Sequence, residues 1–76
     1  MPTTSELVQM EIREKFGRRI RQFRLELGLS QEELAHKAES NRTYISDVER
    51  GERNPSIVFA AKIASALNVK AGDLLD

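Results

Sequence analysis

The stretch Ser30-Gln31-Glu32-Glu33, with Asn41 shortly after it, constrains this chain more than any other feature. A serine followed three residues later by a glutamate is a capping box: the hydroxyl bonds the amide three residues on, and the carboxylate reaches back. Asn41 is a second N-cap, and Gly51 is a fitting stop for the helix that it opens. Two short helices, within about 31–50, are therefore joined by little more than Glu39-Ser40-Asn41. So short a join sends the second helix across the first at a steep angle, the helix-turn-helix arrangement.

The rest of the chain supplies helices to hold that pair. Ile12, Phe16, Ile20, Phe23 and Leu27 recur at helical period, an apolar stripe that predicts a first helix closed by Gly28. Residues 1–10 read as a flexible N-terminal segment or an extension of that helix, with residues 1–5 fraying, and residues 11–76 read as a single domain. The second helix buries Leu34, Ala35 and Ala38, and the third buries Ile45 and Val48. "GERNPS" is a loop, because Pro55 keeps Asn54 out of helical geometry. Ser56 caps a fourth helix expected to bury Ile57, Ala60, Ala61, Ala64 and Leu67. "NVKAGDLLD" predicts a short last helix, with Gly72 in it and no good cap, held by the packing of Val69, Leu74 and Leu75. No alternating strand pattern is present, so the expected fold is all-α, five helices in one compact unit.

Composition narrows the function. With 76 residues and 39% hydrophobic content, the chain holds one small core. It contains no cysteine and one histidine, which leaves no disulfide framework and no second soft ligand to complete a zinc site with His36. The expectation is no metal and no cofactor. No nucleophile–base pair or phosphate-binding loop is evident, which points away from an enzyme and a small-molecule substrate. The apolar runs are too short to cross a bilayer and "MPTTSELVQM" lacks the pattern of an export signal, so the chain reads as a cytoplasmic protein with no membrane partner. Twelve basic and twelve acidic residues cancel, which argues against an indiscriminate polyanion binder. Their distribution is uneven: Lys15, Arg18, Arg19, Arg21 and Arg24 fall in one run without an acid. That run is either a solvated helix face or, through Arg19 or Arg21, a source of phosphate contacts.

The third helix is held from one side only, by Ile45 and Val48, and its N-terminal turn carries Arg42, Thr43 and Tyr44. A helix pinned from behind with a polar first turn fits the major groove of DNA. Arg42 can give two donors to guanine O6 and N7, a contact worth about 1–3 kcal/mol of discrimination. Thr43 offers a methyl to thymine and a hydroxyl to a base or phosphate, while Tyr44 and Ser46 are candidate phosphate donors. Gln31 opens the second helix, where its amide and the helix dipole can meet a phosphate. Arg50, Arg53 and Asn54 are within reach of phosphate or the minor groove. Asp47 is the anomaly, since phosphates repel a carboxylate. It either accepts from a cytosine amino group, orients Arg42 or Arg50, or faces solvent outside the groove.

The segment "RLELGLSQEELAHKAESNRTYISDVERGERNPS" resembles the lambda-repressor-like family of Cro and cI type DNA-binding domains, over about residues 16–75. "NRTYISDVERGERN" resembles more narrowly the controller proteins of restriction–modification systems. The resemblance implies a homodimer on a two-fold operator that activates an endonuclease gene and regulates its own, with RNA polymerase as a further partner in activation. It implies DNA contacts from Gln31, Arg42, Thr43, Tyr44, Ser46 and Arg53. It also implies that Arg24 pairs with Glu49, a structural role set against the phosphate contact that its place in the basic run suggests. Two departures stand out: Glu39 occupies a turn position usually taken by glycine, and Asp47 replaces a small residue.

One short helix reads only a few base pairs, so two linked copies are needed for useful affinity. The surface expected for pairing is Val58, Phe59, Ala71, Leu74 and Leu75, although Leu74 and Leu75 could equally close the core of one copy. A phage-type repressor shares this fold and binding mode. An antitoxin-like protein with a protein partner is a further alternative, although such proteins usually carry an extra tail for that partner.

Overall fold

The computed structural model describes residues 1–75, and those residues form four α-helices and a closing 3-10 turn. The helices are α1 (Thr4–Glu26), α2 (Gln31–Lys37), α3 (Arg42–Glu49) and α4 (Ile57–Ala66), and the turn is Ala71–Leu74. No strand occurs among the described residues, in line with the all-α expectation. The fifth helix is replaced by the 3-10 turn. Its four residues include Gly72, which gives it little helical propensity, and Leu74 anchors it by burial.

Each helix starts where a side chain satisfies its free amides. Thr3 accepts from the Glu6 amide at 3.2 Å, Asn41 from Tyr44 at 2.9 Å, and Ser56 from Phe59 at 3.1 Å. The capping box at α2 is complete: Ser30 Oγ accepts from the Glu33 amide at 3.0 Å, and Glu33 accepts from the Ser30 amide at 2.9 Å. The Thr3 cap starts α1 at Thr4, so Thr4 and Ser5 are helical where fraying was expected, and residues 4–10 form its first turns.

The four helices also end alike. A residue with positive φ follows each one, and the next amide bonds back across the last turn: Leu29 to Arg24, Ser40 to Ala35, Glu52 to Asp47 and Val69 to Ala64. At α1 and α3 that residue is Gly28 or Gly51, which takes the geometry without strain. At α2 it is Glu39, with φ 55°, where a side chain costs about 1 kcal/mol or more. The left-handed turn is therefore retained at Glu39 despite the missing glycine.

The core consists of Phe16, Ile20, Leu34, Ala35, Ala38, Ile45, Val48, Ile63, Ala64, Leu67 and Leu74. Burying each of its large side chains contributes about 1.5–3 kcal/mol. Gly17 lets α1 and α3 meet backbone to backbone, since a Cβ there would run into the carbonyl oxygens of Val48 and Glu49. Four residues expected on the buried faces need correction. Ile12 and Leu27 lie at the exposed ends of the α1 stripe, beyond the reach of the small body. On α4 the buried face is rotated toward Ile63, which is fully enclosed, while Ile57 in the first turn is 89% exposed and Ala61 is also exposed.

Candidate nucleic-acid interface

Helix α3 is seated by Ile45 and Val48, both buried, and its first turn stands clear of the body with Arg42 and Thr43 exposed. Ala35 on α2, 3% exposed, lets the two helices cross closely. The outer side of α3 carries Ser46, Asp47 and Arg50, the first two half-buried and the last exposed.

The rear of α3 is fixed by a buried ion pair. Arg24 Nε and Nη2 donate to the two carboxylate oxygens of Glu49 at 2.7 and 3.0 Å, and Arg24 Nη1 donates to the Leu29 carbonyl at 2.9 Å. The side chains are 10% and 4% exposed. This is the pairing implied by resemblance, and it removes Arg24 from the set of free cations. Gln31 joins the same centre, its Nε2 donating to Glu49 at 3.1 Å. Its amide nitrogen therefore faces a carboxylate, and Gln31 ties the start of α2 to the end of α3. Arg21 borders the shallow depression above this centre, together with Ser46 and Arg50, so it shares a face with α3. Arg19 lies instead over the Phe23 ring, 5.7 Å from its centroid.

A second charged cluster lies toward the far end of α3. Asp47 accepts from Arg50 Nη2 at 2.6 Å and from Arg53 Nε at 3.2 Å. Arg50 also donates to Ser46 Oγ at 3.0 Å and to Glu52 at 3.0 Å. Its hydrogen bond to Glu52, and then the charges of Glu52 and Asp47, hold the guanidinium pKa above its ordinary value. Arg53 covers one side of the Tyr44 ring at 5.2 Å, and Phe59 meets that ring edge-on at 4.5 Å. Asp47 thus orients Arg50 and Arg53, while Arg42 is exposed. Asn54 is exposed in the loop beyond. Sequence reasoning missed Glu52 as a partner of Arg50 and Gly17 as the contact point of α1 with α3. An isolated glycine between Phe16 and Ile20 was the available signal for the latter.

The surface expected to join two copies is only partly available. Val58 and Leu75 are 67% and 54% exposed, and Ala71 is exposed. Leu74 is fully buried under α1 and α4, so it closes the core and cannot meet a partner. Phe59 is half-buried against Tyr44. Ile57 and Leu75 also line an apolar groove of about 170 Å³ with Ile12, Phe16, Pro55 and Ala60. Among the described residues, no helix is long and apolar enough to cross a membrane, and no three His, Cys, Asp or Glu side chains cluster around a possible metal.

A short helix pinned at its back, braced at its rear by an ion pair and presenting a polar first turn defines a helix-turn-helix transcription regulator. The comparisons agree. Residues 20–74 match the helix-turn-helix family model, and the chain belongs to that family. The control protein C.BamHI of Bacillus amyloliquefaciens is 52% identical over 66 residues, covering 86% of this chain and 82% of that one. The crystal structure of the restriction–modification controller protein C.AhdI from Aeromonas hydrophila superposes with a TM-score of 0.80 at 45% identity, covering 82% and 94% of the two chains. The biofilm master regulator SinR, solved in complex with DNA, superposes with a TM-score of 0.77 at 45% identity, covering 80% of this chain and 98% of that one. These relatives are transcription regulators and controller proteins, and this chain is a regulator of their kind, not an enzyme.

Proposed function

We propose that this protein is the controller of a restriction–modification system. It acts in the cytoplasm as a homodimer on a two-fold operator, regulating its own gene and activating that of the endonuclease, with RNA polymerase engaged in activation. The first turn of α3 enters the major groove, where Arg42 and Thr43 read base edges and Tyr44, Ser46, Arg53 and Asn54 meet the backbone. The observation that carries this reading is the exposure of Arg42 and Thr43 on a helix whose buried apolar residues, Ile45 and Val48, face the opposite way. Likeness to control proteins over most of both chains supports the genomic role.

The copies meet through Val58, Ala71 and Leu75, and the two α3 helices reach half-sites about 34 Å apart, one turn of DNA. Sedimentation of the chain with an operator duplex tests this arrangement. Two chains per duplex are expected for the wild type. The double variant Val58→Glu, Leu75→Glu should remain folded yet sediment as single chains with weakened binding. Unchanged pairing in that variant would overturn the interface.

A further inference from the structure

We infer that Asp47 is a positioning residue that sets how well this protein discriminates its operator from other DNA, acting through Arg50 and Arg53 rather than by touching a base. The inference rests on the reading of α3 as the DNA-reading helix. The Asp47 side chain is 18% exposed, whereas Arg50 and Arg53, which hold it, are 56% and 51% exposed. Each carboxylate oxygen is taken by a different guanidinium: Oδ1 by Arg50 at 2.6 Å and Oδ2 by Arg53 at 3.2 Å. A carboxylate that accepted from a cytosine amino group would have to turn a free oxygen outward into the groove. Here both oxygens are engaged by cations of the same chain.

The consequence differs for the two arginines. Arg53 gives Asp47 its Nε and lies against the Tyr44 ring, two restraints that fix the plane of the guanidinium. Its two terminal amino groups have no part in that bond and can be given to a phosphate or to the minor groove. A side chain already held in its binding geometry loses less freedom when DNA arrives, so contact at a correctly shaped site is favoured. Arg50 is engaged more fully, by Ser46, Asp47 and Glu52 together. On DNA of arbitrary sequence, phosphates that do not fit this held geometry must draw the guanidiniums away from Asp47, and the carboxylate itself repels them. Non-specific binding rests almost wholly on such phosphate contacts, so Asp47 suppresses it selectively. A neutral polypeptide with this device keeps two cations near DNA without offering them to every duplex.

Asp47→Asn removes the charge and keeps the shape. The test is a salt titration of binding by the wild type and the variant, on a duplex selected by the wild type from a randomised pool and on a random duplex. For the variant, affinity for random DNA should rise by about 3- to 10-fold. Its log–log salt slope should steepen by about one to two, because each freed arginine neutralises roughly one phosphate. Operator affinity should stay level or fall, so the specificity ratio drops. With Arg53→Met as the background, the Asn substitution should steepen the slope by about one less. Unchanged random-DNA affinity and slope would overturn the inference, as would lost preference at a single base pair with the slope unaltered. Those outcomes leave the reading of α3 intact. If the wild type selects no sequence from the pool, that reading fails and the inference falls with it.

Discussion

The carboxylate of Glu49 at the end of α3 receives two hydrogen bonds from Arg24 on α1, at 2.7 and 3.0 Å, with a third from Gln31 at the start of α2. Three helices are thus tied at one buried charge. Removing a single partner of a buried pair strands the other charge, whereas removing both leaves only a packing defect. Arg24→Ala is therefore expected to destabilise the fold by about 3 kcal/mol in denaturant unfolding. The double variant Arg24→Met, Glu49→Leu should be more stable than either single substitution. Additive losses would show that the two residues act independently.

Gly17 is expected to tolerate no side chain. An added Cβ would approach the Glu49 carbonyl oxygen to 2.7 Å and that of Val48 more closely still. Both are backbone atoms of α3 and cannot swing aside. In an exposed helix, Gly→Ala stabilises by about 1 kcal/mol, so the sign of the effect is itself the readout. Gly17→Ala should destabilise by about 2 kcal/mol, the cost of forcing two packed helices apart. A rise in thermal midpoint would contradict the close approach of α1 and α3.

Glu33 carries a pH dependence. The Ser30 backbone amide, and then the Ser30 hydroxyl, hold its carboxyl pKa below the ordinary value. A group whose pKa is depressed on folding stabilises above its unfolded value, about 4.3 for glutamate, and loses that contribution as pH falls through the folded value. The wild type should therefore melt above Glu33→Gln at neutral pH, with the difference closing as pH drops below about 4. Circular dichroism melts across that range check it, and a difference independent of pH would remove the charge from the account of the α2 cap.

Much of this was legible in local sequence, and what was not has a common cause. The caps at Ser30, Asn41 and Ser56 and the glycine stops at Gly28 and Gly51 act within one helical turn, so the bounds of α2 and α3 could be read directly. The buried face of α4 could not, because apolar residues nearly surround that helix, and only its neighbours decide that Ile63 turns in while Ile57 turns out. The same holds for Leu74, which was equally compatible with a core and a partner surface until its burial beneath α1 and α4 was seen. Side-chain pairings such as those of Asp47 with Arg50 and Arg53 depend on how the loop after α3 folds back. Arg24 and Glu49 lie far apart in the chain, and only family resemblance linked them beforehand.

Whether the first turn of α3 reads bases is tested most directly by sequence selection. Wild-type protein and Arg42→Ala would each be challenged with the same pool of randomised duplexes, and the recovered sequences compared. A two-fold pattern with half-site centres one DNA turn apart is expected for the wild type, with preference lost at one base pair of each half-site in the variant. Identical patterns from the two proteins, or recovery of no pattern by the wild type, would contradict the assignment of α3 as the reading helix.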